Sequence, residues 1–251
     1  MFQDALLTGH SLVLFFLRKP DVRRDINIIE DILKYNSHYK QPSVVSVPDD
    51  LDPNIPRVIF ESNHGFSQII ISQVNIAFNV RYTEEWQKNY KLGKDYVNER
   101  AHLIFEILHA IDRHALYAGI SSVVTMPTVA SDEDIIERLY KHYQKGADTS
   151  SVFDFEIKRT TVQNDKYFSN IHIKNFREWS LRTPAFEGSR FKQGEATKRG
   201  VQILGDFNDR FGFNEIEGYE TNRETCKDIV EKSLSAIQCE TEKLREATNA
   251  Q

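Results

Sequence analysis

The sequence predicts an α+β protein with two antiparallel β-sheet units, each backed by long α-helices. Short apolar segments that alternate with polar residues occur in both halves of the chain, and this two-residue period is typical of half-buried antiparallel strands. Each group of strands precedes a long segment with apolar residues at helical spacing. Because both halves share this order, we hypothesise an internal duplication whose halves superpose. The alternative is two halves that share only a pattern.

The clearest strand signal lies in the first predicted unit, residues 1–128. Residues 58–61 and 67–72 are apolar segments on either side of residues 63–65, Asn-His-Gly, which tolerate the positive φ of a tight turn. Residues 74–80 then alternate apolar with polar or small side chains. Together these segments predict an antiparallel meander with one face toward solvent.

The same patterns assign the rest of this unit. A short apolar run predicts a strand at residues 11–17, and helical spacing predicts a short helix at residues 25–35. Prolines at four positions within residues 41–56 predict an extended surface linker. Helical spacing returns over residues 83–111, which predicts one long helix or two helices joined near Gly93.

A strand at residues 119–126 leads into a connecting helix, which we place within residues 129–150. Ser131 is predicted to cap this helix, with Asp134 three residues later completing a capping box. Gly146 is predicted to end it, since glycine readily adopts the left-handed conformation that follows many helices.

The second predicted unit, residues 151–251, again contains strands and a terminal helix. Asn164 and Asp165 predict a tight turn within a hairpin, and Thr221 with Glu224 predicts a capping box. The helix that follows should extend to about residue 247. The strands of this unit are predicted at residues 152–161, 167–173 and 201–207.

Composition limits the classes of function. The formal net charge is -5 and the pI about 5.9, whereas nucleic-acid-binding proteins usually carry a basic excess or stripe. The apolar run at residues 12–17 is far shorter than the roughly 20 residues of a membrane span, and no basic segment precedes it, so we expect neither a span nor an export signal. Cys226 and Cys239 lie 13 residues apart on one predicted helix. We therefore expect reduced thiols and a cytoplasmic protein.

One helix face suggests metal chemistry. Glu99 with His102 and Glu106 with His109 are two Glu-x-x-His pairs that share a face of one predicted helix. Di-iron proteins use this motif, but they take it from two helices that face each other. A solvated face of an amphipathic helix explains the same spacing. We therefore predict no transition metal here and no cofactor.

Other catalytic motifs are missing or incomplete. Residues 205–212 superficially resemble a calcium loop, but Arg210 occupies a ligand position and the glycine comes one residue late. A turn after a strand is the better interpretation. The chain contains no phosphate loop, dinucleotide fingerprint or Gly-x-Ser-x-Gly sequence. These observations favour a protein that is not an enzyme.

A basic segment near residue 195 is the candidate for nucleic-acid contact. It contains four cations and an aromatic residue, and such a loop can contact phosphates. A solvated basic loop in an acidic chain is the alternative. The candidate residues are Arg190, Lys192, Lys198 and Arg199.

A resemblance to a bacterial family rests on segments spread over most of the chain. The matching residues are 10–20, 60–65 with the run to 80, 117–129, 132–143, 201–206 and the final predicted helix. These segments resemble a sporadically distributed family of bacterial proteins of about this length, whose function is not established. The family often ends its fourth strand with Arg-Tyr-Asn, where this chain has Val-Val-Thr-Met at residues 123–126. The order of strands and helix is also similar to that of SecB-type chaperones, although a fold does not determine a function.

Together these observations favour a non-catalytic module that binds another protein through an apolar groove or an unpaired sheet edge. The chain has 16 Phe and 10 Tyr, and aromatic residues are enriched at interface cores, although core packing accounts for most of them. The family resemblance implies a place in a bacterial accessory or defence locus. A nucleic-acid-associated component that uses the basic loop is the second hypothesis, and a metal-dependent enzyme is the third. A homo-oligomer is compatible with all three.

Overall fold

The described residues form one continuous antiparallel sheet of nine strands with helices packed against it. This computed structural model describes residues 2–35, 38–144, 149, 151–179 and 196–249. The strands are β1 (Leu6–Phe16), β2 (Ser43–Val44), β3 (Val58–Glu61), β4 (Ser67–Ile71), β5 (Asn75–Arg81), β6 (Ala115–Pro127), β7 (Glu156–Gln163), β8 (Tyr167–Glu178) and β9 (Lys198–Asn208). The helices are α1 (Ile26–Tyr35), α2 (Glu84–Gln87), α3 (Tyr90–Ala110), α4 (Asp132–Tyr143), α5 (Arg210–Glu215) and α6 (Arg223–Asn249), and a short 3-10 helix (Val22–Asp25) precedes α1.

The α+β class is confirmed, but the prediction of two separate sheets is wrong. The strand order is β2-β3-β4-β5-β1-β6-β9-β8-β7, and every neighbouring pair is antiparallel. β1 pairs with β6 over most of its length, with Ser11 opposite Ser121. A separate sheet in each half would leave a long edge of unpaired backbone groups, and this pairing satisfies both edges at once. Residues 1–128 and 151–251 therefore share one sheet.

The order of elements repeats on either side of the β1–β6 pair. The first series is β1, α1, β3, β4, β5, α3, and the second is β6, α4, β7, β8, β9, α6. In the sheet the two series run outward from the centre in the same order, β1-β5-β4-β3 and β6-β9-β8-β7. The corresponding strands β4 and β8 contain similar segments, Ser-Gln-Ile-Ile-Ile at residues 67–71 and Ser-Asn-Ile-His-Ile at residues 169–173. This agreement supports the duplication hypothesis.

The two long helices form the layer that buries the core. α3 packs on β1 and β5, α6 packs on β6, β8 and β9, and the helices contact each other. Alternate strand residues such as Leu12 and Ile120 are fully buried, as are Ile104 and Ile237 on the helices. No described helix is both long and apolar enough to cross a membrane.

Some helix starts and breaks lie where the sequence predicts them, and others do not. The capping box of α4 is confirmed, since Ser131 Oγ accepts a 3.1 Å hydrogen bond from the Asp134 amide. For α6 the predicted cap is wrong, because Asn222 accepts from the Thr225 amide at 2.9 Å and Thr221 lies before the cap. The break between α2 and α3 falls at residues 88–89. Gly146 lies outside the described residues.

Two further segments differ in detail from their predictions. Gly93 lies inside α3, where a Cβ would come within 2.7 Å of Leu7 Cδ2, so it provides a close helix–strand contact. The proline-rich segment 41–56 contains β2 and is held by Arg57, whose side chain is fully buried. The Arg57 guanidinium donates to the Ile55 carbonyl at 2.6 Å. This segment is therefore anchored as well as extended.

Because one sheet joins both series, we predict that the whole chain unfolds cooperatively. Leu12 is fully buried on β1, so Leu12→Ala should lower the free energy of unfolding by about 2–5 kcal/mol. Leu17→Ala, at a side chain that is 69% exposed, is the matched control and should change it by less than about 0.5 kcal/mol. Urea unfolding followed by tryptophan fluorescence and by far-UV circular dichroism should give coincident single transitions for the wild type and both variants. Two separated transitions would contradict the shared sheet.

Candidate functional site

The candidate functional site is the face of the sheet opposite to the helix layer. Along the central strands, alternate residues are buried beneath α3 and α6, while the residues between them stay partly exposed. Among the described elements only α5 contacts this face, at one end, where Phe213 lies 5.2 Å from Tyr117 and Phe211 lies 5.4 Å from Phe168 between ring centroids. We call this surface the open face.

A continuous row of polar side chains crosses the open face. Each member is the cross-strand partner of the next, from β3 at one side of the sheet to β7 at the other. The row is Glu61, Gln68, Asn79, Ser11, Ser121, Asp206, Asn170 and Thr160. Because facing side chains on neighbouring strands lie within about 5.5 Å of each other, the register alone brings these distant residues together. We call this set the polar row.

Asp206 organises the second half of the polar row. Its Oδ2 accepts a hydrogen bond from Ser121 Oγ at 3.1 Å, and its Oδ1 accepts from Asn170 Nδ2 at 3.0 Å and from Asn208 Nδ2 at 2.9 Å. Thr160 Oγ1 donates to Asn170 Oδ1 at 2.7 Å. Several donors therefore hold one half-buried carboxylate in a fixed orientation on the sheet surface.

Apolar side chains lie on both sides of the polar row. Val123 and Leu204 are cross-strand partners on one side, and Val13 lies on the other. At the α5 end, the rings of Phe15 and Tyr117 stack with centroids 4.4 Å apart. All these side chains are only partly exposed, because neighbours on the sheet shield one another. The centre of the open face is therefore apolar with the polar row through it, and the half of the row from Ser121 to Thr160 is hydrogen-bonded.

Cations lie at both ends of the row that contains Val123 and Leu204. Arg81 on β5 occupies one end and Lys158 on β7 the other. Both side chains are exposed, and neither forms an ion pair with another described residue. Between them His172 Nε2 lies 2.8 Å from a carboxylate oxygen of Glu156. Along this row the open face thus has an apolar middle with a cation at each end, while the carboxylates of Glu61 and Glu156 also lie toward the two sides.

The structure describes two of the four residues proposed for nucleic-acid contact. Arg190 and Lys192 lie outside the described residues, and Lys198 is exposed at the start of β9. Arg199 lies 3.6 Å from Oδ2 of Asp132, a carboxylate that is only 1% exposed, and Arg177 Nε lies 3.1 Å from its Oδ1. Arg199 therefore helps to neutralise a buried charge at the start of α4. An Arg199 side chain that pairs with Asp132 is less available to contact a phosphate.

The two Glu-x-x-His pairs lie on the outer side of α3. Glu99, His102 and His109 are exposed, and His102 Nε2 lies 3.1 Å from a carboxylate oxygen of Glu106. His102 also lies 3.5 Å from Arg223 of α6. Within the described part of the chain, no three or more His, Cys, Asp or Glu side chains are grouped as a metal site would require. The face has the character of a solvated helix surface.

The calcium-like segment contains a strand end and a turn. β9 runs to Asn208, and Asp209 next to it is fully buried. Asp209 accepts hydrogen bonds from the Ala118 amide and the Tyr219 hydroxyl, both at 2.7 Å. Its carboxylate therefore fixes the turn into α5.

Both cysteines are free thiols. Cys226 is buried beneath the sheet, and this burial raises the pKa of its thiol to about 12. Cys239 is exposed on α6. Because the thiolate is the reactive form, Cys226 is not a nucleophile at neutral pH.

A buried serine–histidine pair was not found from the sequence. His10 and Ser122 are cross-strand partners on β1 and β6, and His10 Nδ1 lies 2.7 Å from Ser122 Oγ, which lies 3.1 Å from Ser233 Oγ. Ser122 and Ser233 are fully buried and His10 is 4% exposed. Burial lowers the pKa of His10 to about 3. A substrate cannot reach this pair in the folded chain, so we interpret it as structural.

We predict that Asp206 stabilises the open face more than its counterpart on β5. Asp206→Ala removes the acceptor for three donors and should lower the free energy of unfolding by about 1–3 kcal/mol. Asn79 occupies the corresponding position in the first series and makes no side-chain hydrogen bond with a described residue. Asn79→Ala is therefore the matched control, with an expected change within about 0.5 kcal/mol. Equal losses in urea unfolding would show that the hydrogen-bonded network adds no stability.

We also predict that His10 makes the protein sensitive to mild acid. Its folded pKa of about 3 lies below the unfolded value of 6.5, so the unfolded chain takes up the proton first as the pH falls. Stability from this group is therefore lost between about pH 6.5 and pH 3, and at pH 5 the loss should be about 2 kcal/mol relative to pH 7. His10→Gln should lose correspondingly less stability between pH 7 and pH 5. The same pH dependence in both proteins would contradict this prediction.

Comparison with known proteins adds no assignment. No protein-family model matches the chain. Curated proteins give no significant match either. The open face, with its polar row, apolar centre and flanking cations, is therefore the basis for the functional argument.

Proposed function

We propose that the protein is a non-catalytic binding module that docks a partner protein on its open face. The observation that carries this proposal is the one-sided covering of a nine-stranded sheet, which leaves apolar side chains of the central strands beside an ordered polar row. Contiguous apolar surface of this kind marks interaction sites in monomeric proteins. The partner surface we expect is apolar at its centre and acidic on two sides.

The open face is large enough for a specific protein interface. Nine strands have eight spacings of about 4.8 Å, so the sheet is roughly 38 Å wide. β1 has 11 residues, which corresponds to about 37 Å of strand. A standard interface buries about 800 Å² of each partner. The central strands alone can provide this area.

The polar row suits burial under a partner. Burying a polar group costs free energy unless its hydrogen bonds are satisfied. Asp206, Asn170, Ser121 and Thr160 already bond to one another. A partner that covers them therefore removes less hydration than it would from unpaired groups. The remaining hydrogen-bonding capacity can set the partner's orientation.

The cations at the two sides indicate the charge of the partner. Arg81 and Lys158 lie on strands separated by five spacings, or about 24 Å. Acidic side chains at a similar separation on the partner would complement both charges. Complementary charge at the rim of an interface increases the association rate and favours the right partner.

The sheet edges are weaker candidates for docking. β2 has only two residues, and no described strand pairs with the outer side of β7. β7 carries Lys158 and Arg159, and charged side chains on an edge strand are a common protection against unwanted strand pairing. The open face therefore supports the binding hypothesis better than either edge.

The proposal also includes the cellular location and the biological role of the protein. We infer a cytoplasmic location, because both cysteines are free thiols and disulfides form mainly outside the cytoplasm. The accessory or defence role implied by the family resemblance is consistent with a module that recruits a partner and performs no chemistry of its own.

The proposal can be tested by crosslinking followed by affinity measurement. A photo-crosslinking amino acid is placed at Leu204 on the open face, and separately at Leu92, a 44% exposed residue of α3. In the native host, we expect a specific protein adduct from position 204 and not from position 92. That protein is then purified, and its dissociation constant for the chain is measured by calorimetry.

Matched variants on the open face and on α3 should show which of these two surfaces binds the partner. Leu204→Asp should raise the dissociation constant at least about 10-fold, because it places a charge in an apolar interface centre. Leu92→Asp should leave it unchanged. Leu204→Ser provides a milder substitution, and circular dichroism checks that each variant is folded. The proposal is wrong if position 204 gives no protein adduct, gives only nucleic acid or a second copy of this chain, or if both Leu204 variants bind as the wild type does.

A further inference from the structure

A pocket lies between the end of α3 and the start of α6, in the helix layer and separate from the polar row. Its volume is about 370 Å³, which is within the range of small-molecule sites. The polar residues that line it are His109, Arg113, His114, Thr221, Asn222 and Arg223, and Glu220 also lies on its wall. We call this cavity the α3–α6 pocket.

Two buried polar groups of the α3–α6 pocket lack partners. Thr221 is only 6% exposed, and its Oγ1 forms no hydrogen bond with a described residue. The Nε of Arg113 is also buried and unpartnered, although Nη1 of the same guanidinium donates to the Asp112 carbonyl at 2.6 Å. Buried polar groups in folded proteins nearly always have a partner. A hydroxyl and a guanidinium Nε without partners beside one cavity point to a ligand that accepts hydrogen bonds.

The start of α6 adds donors to the same cavity. α6 is 27 residues long, and the first amides of a helix lack partners within it and carry a partial positive charge. Asn222 satisfies the amide of Thr225, and the amides of Arg223 and Glu224 belong to the same first turn. Phosphate groups bind well at such helix starts.

The partial negative charge at the end of α3 does not cancel the attraction of the α6 start for a phosphate group. The carbonyls of Ile107 and Leu108 in its last turn accept from the amides of Ile111 and Arg113 at 3.0 and 2.9 Å. The last turn of α3 is therefore capped by its own chain, which reduces the negative charge it presents.

Both cations and carboxylates lie around the pocket. Arg113 and Arg223 are permanently charged at physiological pH. Glu220 is an exposed carboxylate on the wall, and Asp112 and Glu224 are exposed nearby. The pocket lining therefore has one more permanent cation than carboxylate.

We propose that the α3–α6 pocket binds the phosphate group of a small molecule, either free phosphate or a phosphate ester. The phosphate accepts hydrogen bonds from the Arg113 guanidinium, the Thr221 hydroxyl and the first amides of α6, and Arg223 provides a further charge. This site is independent of the open face, so it stands whether or not the open face binds a partner protein.

The test is a titration followed by NMR of the amide groups. Inorganic phosphate and adenosine monophosphate are added separately, at constant ionic strength maintained with sodium chloride. We expect saturable shifts at the amides of Arg223 and Glu224, with a dissociation constant of about 1 mM or lower for at least one of the two probes. Tighter binding of adenosine monophosphate would indicate a phosphate ester as the ligand, and equal or weaker binding would indicate free phosphate.

Variants show whether the named groups form the site. Arg113→Gln should weaken binding about 10-fold, since it removes a charge-assisted hydrogen bond. Thr221→Val keeps the side-chain shape and should weaken binding several-fold without lowering the unfolding midpoint, because the hydroxyl has no partner in the protein. Arg24→Gln, at a side chain that is 84% exposed, is the control for general charge and should bind as the wild type does. The proposal is wrong if neither probe gives saturable shifts at Arg223 and Glu224, or if all three variants bind equally well.

Discussion

The pairing of β1 with β6 is the interaction on which the rest of the structure depends. It joins two series of strands into one sheet, and it brings the polar side chains of both series into one row. On its other side β1 pairs with β5, and that pairing brings the backbones close at Gly9, where a Cβ would lie 2.5 Å from the Val80 carbonyl oxygen. Because both long helices pack on the same side of this joined sheet, α5 is the one described helix that contacts the other side.

Local features of the fold could be predicted from the sequence, because neighbouring residues determine them. The turn at Asn164 and Asp165 has the positive φ angles expected of those residue types, and Ser131 caps α4 as predicted. The number of sheets could not be predicted, since alternation identifies a strand but not its partner. The cap of α6 was misplaced by one residue, because Thr221 and Asn222 are both good capping residues.

Only part of the candidate site could be predicted from the sequence. Asp206 and Asn208 lie in the segment that resembles a calcium loop. The contacts of Asp206 with Ser121 and Asn170 follow from a strand register that the sequence does not show. The pair of His10 and Ser122 is separated by 112 residues in sequence and was missed for the same reason. The basic loop could be identified from the sequence because its residues lie close together along the chain. Yet Arg199 from that loop is engaged with the buried Asp132.

The distribution of the described polar groups suits recognition, which is the function that we propose. Ser122 and Cys226 are buried in the core, whereas the thiol of Cys239 is exposed on α6. Other polar groups are hydrogen-bonded to one another on the open face or line the α3–α6 pocket. An ordered surface of this kind loses little conformational entropy on binding, which favours affinity.

The most direct test of the central claim is hydroxyl-radical footprinting of the chain alone and in complex with the partner that it binds in the native host. The account predicts that Tyr117, Phe168 and Leu204 on the open face become protected in the complex, while Leu92 on α3 reacts as it does in the free chain. Protection confined to the helix layer, with the open-face residues unchanged, would contradict it.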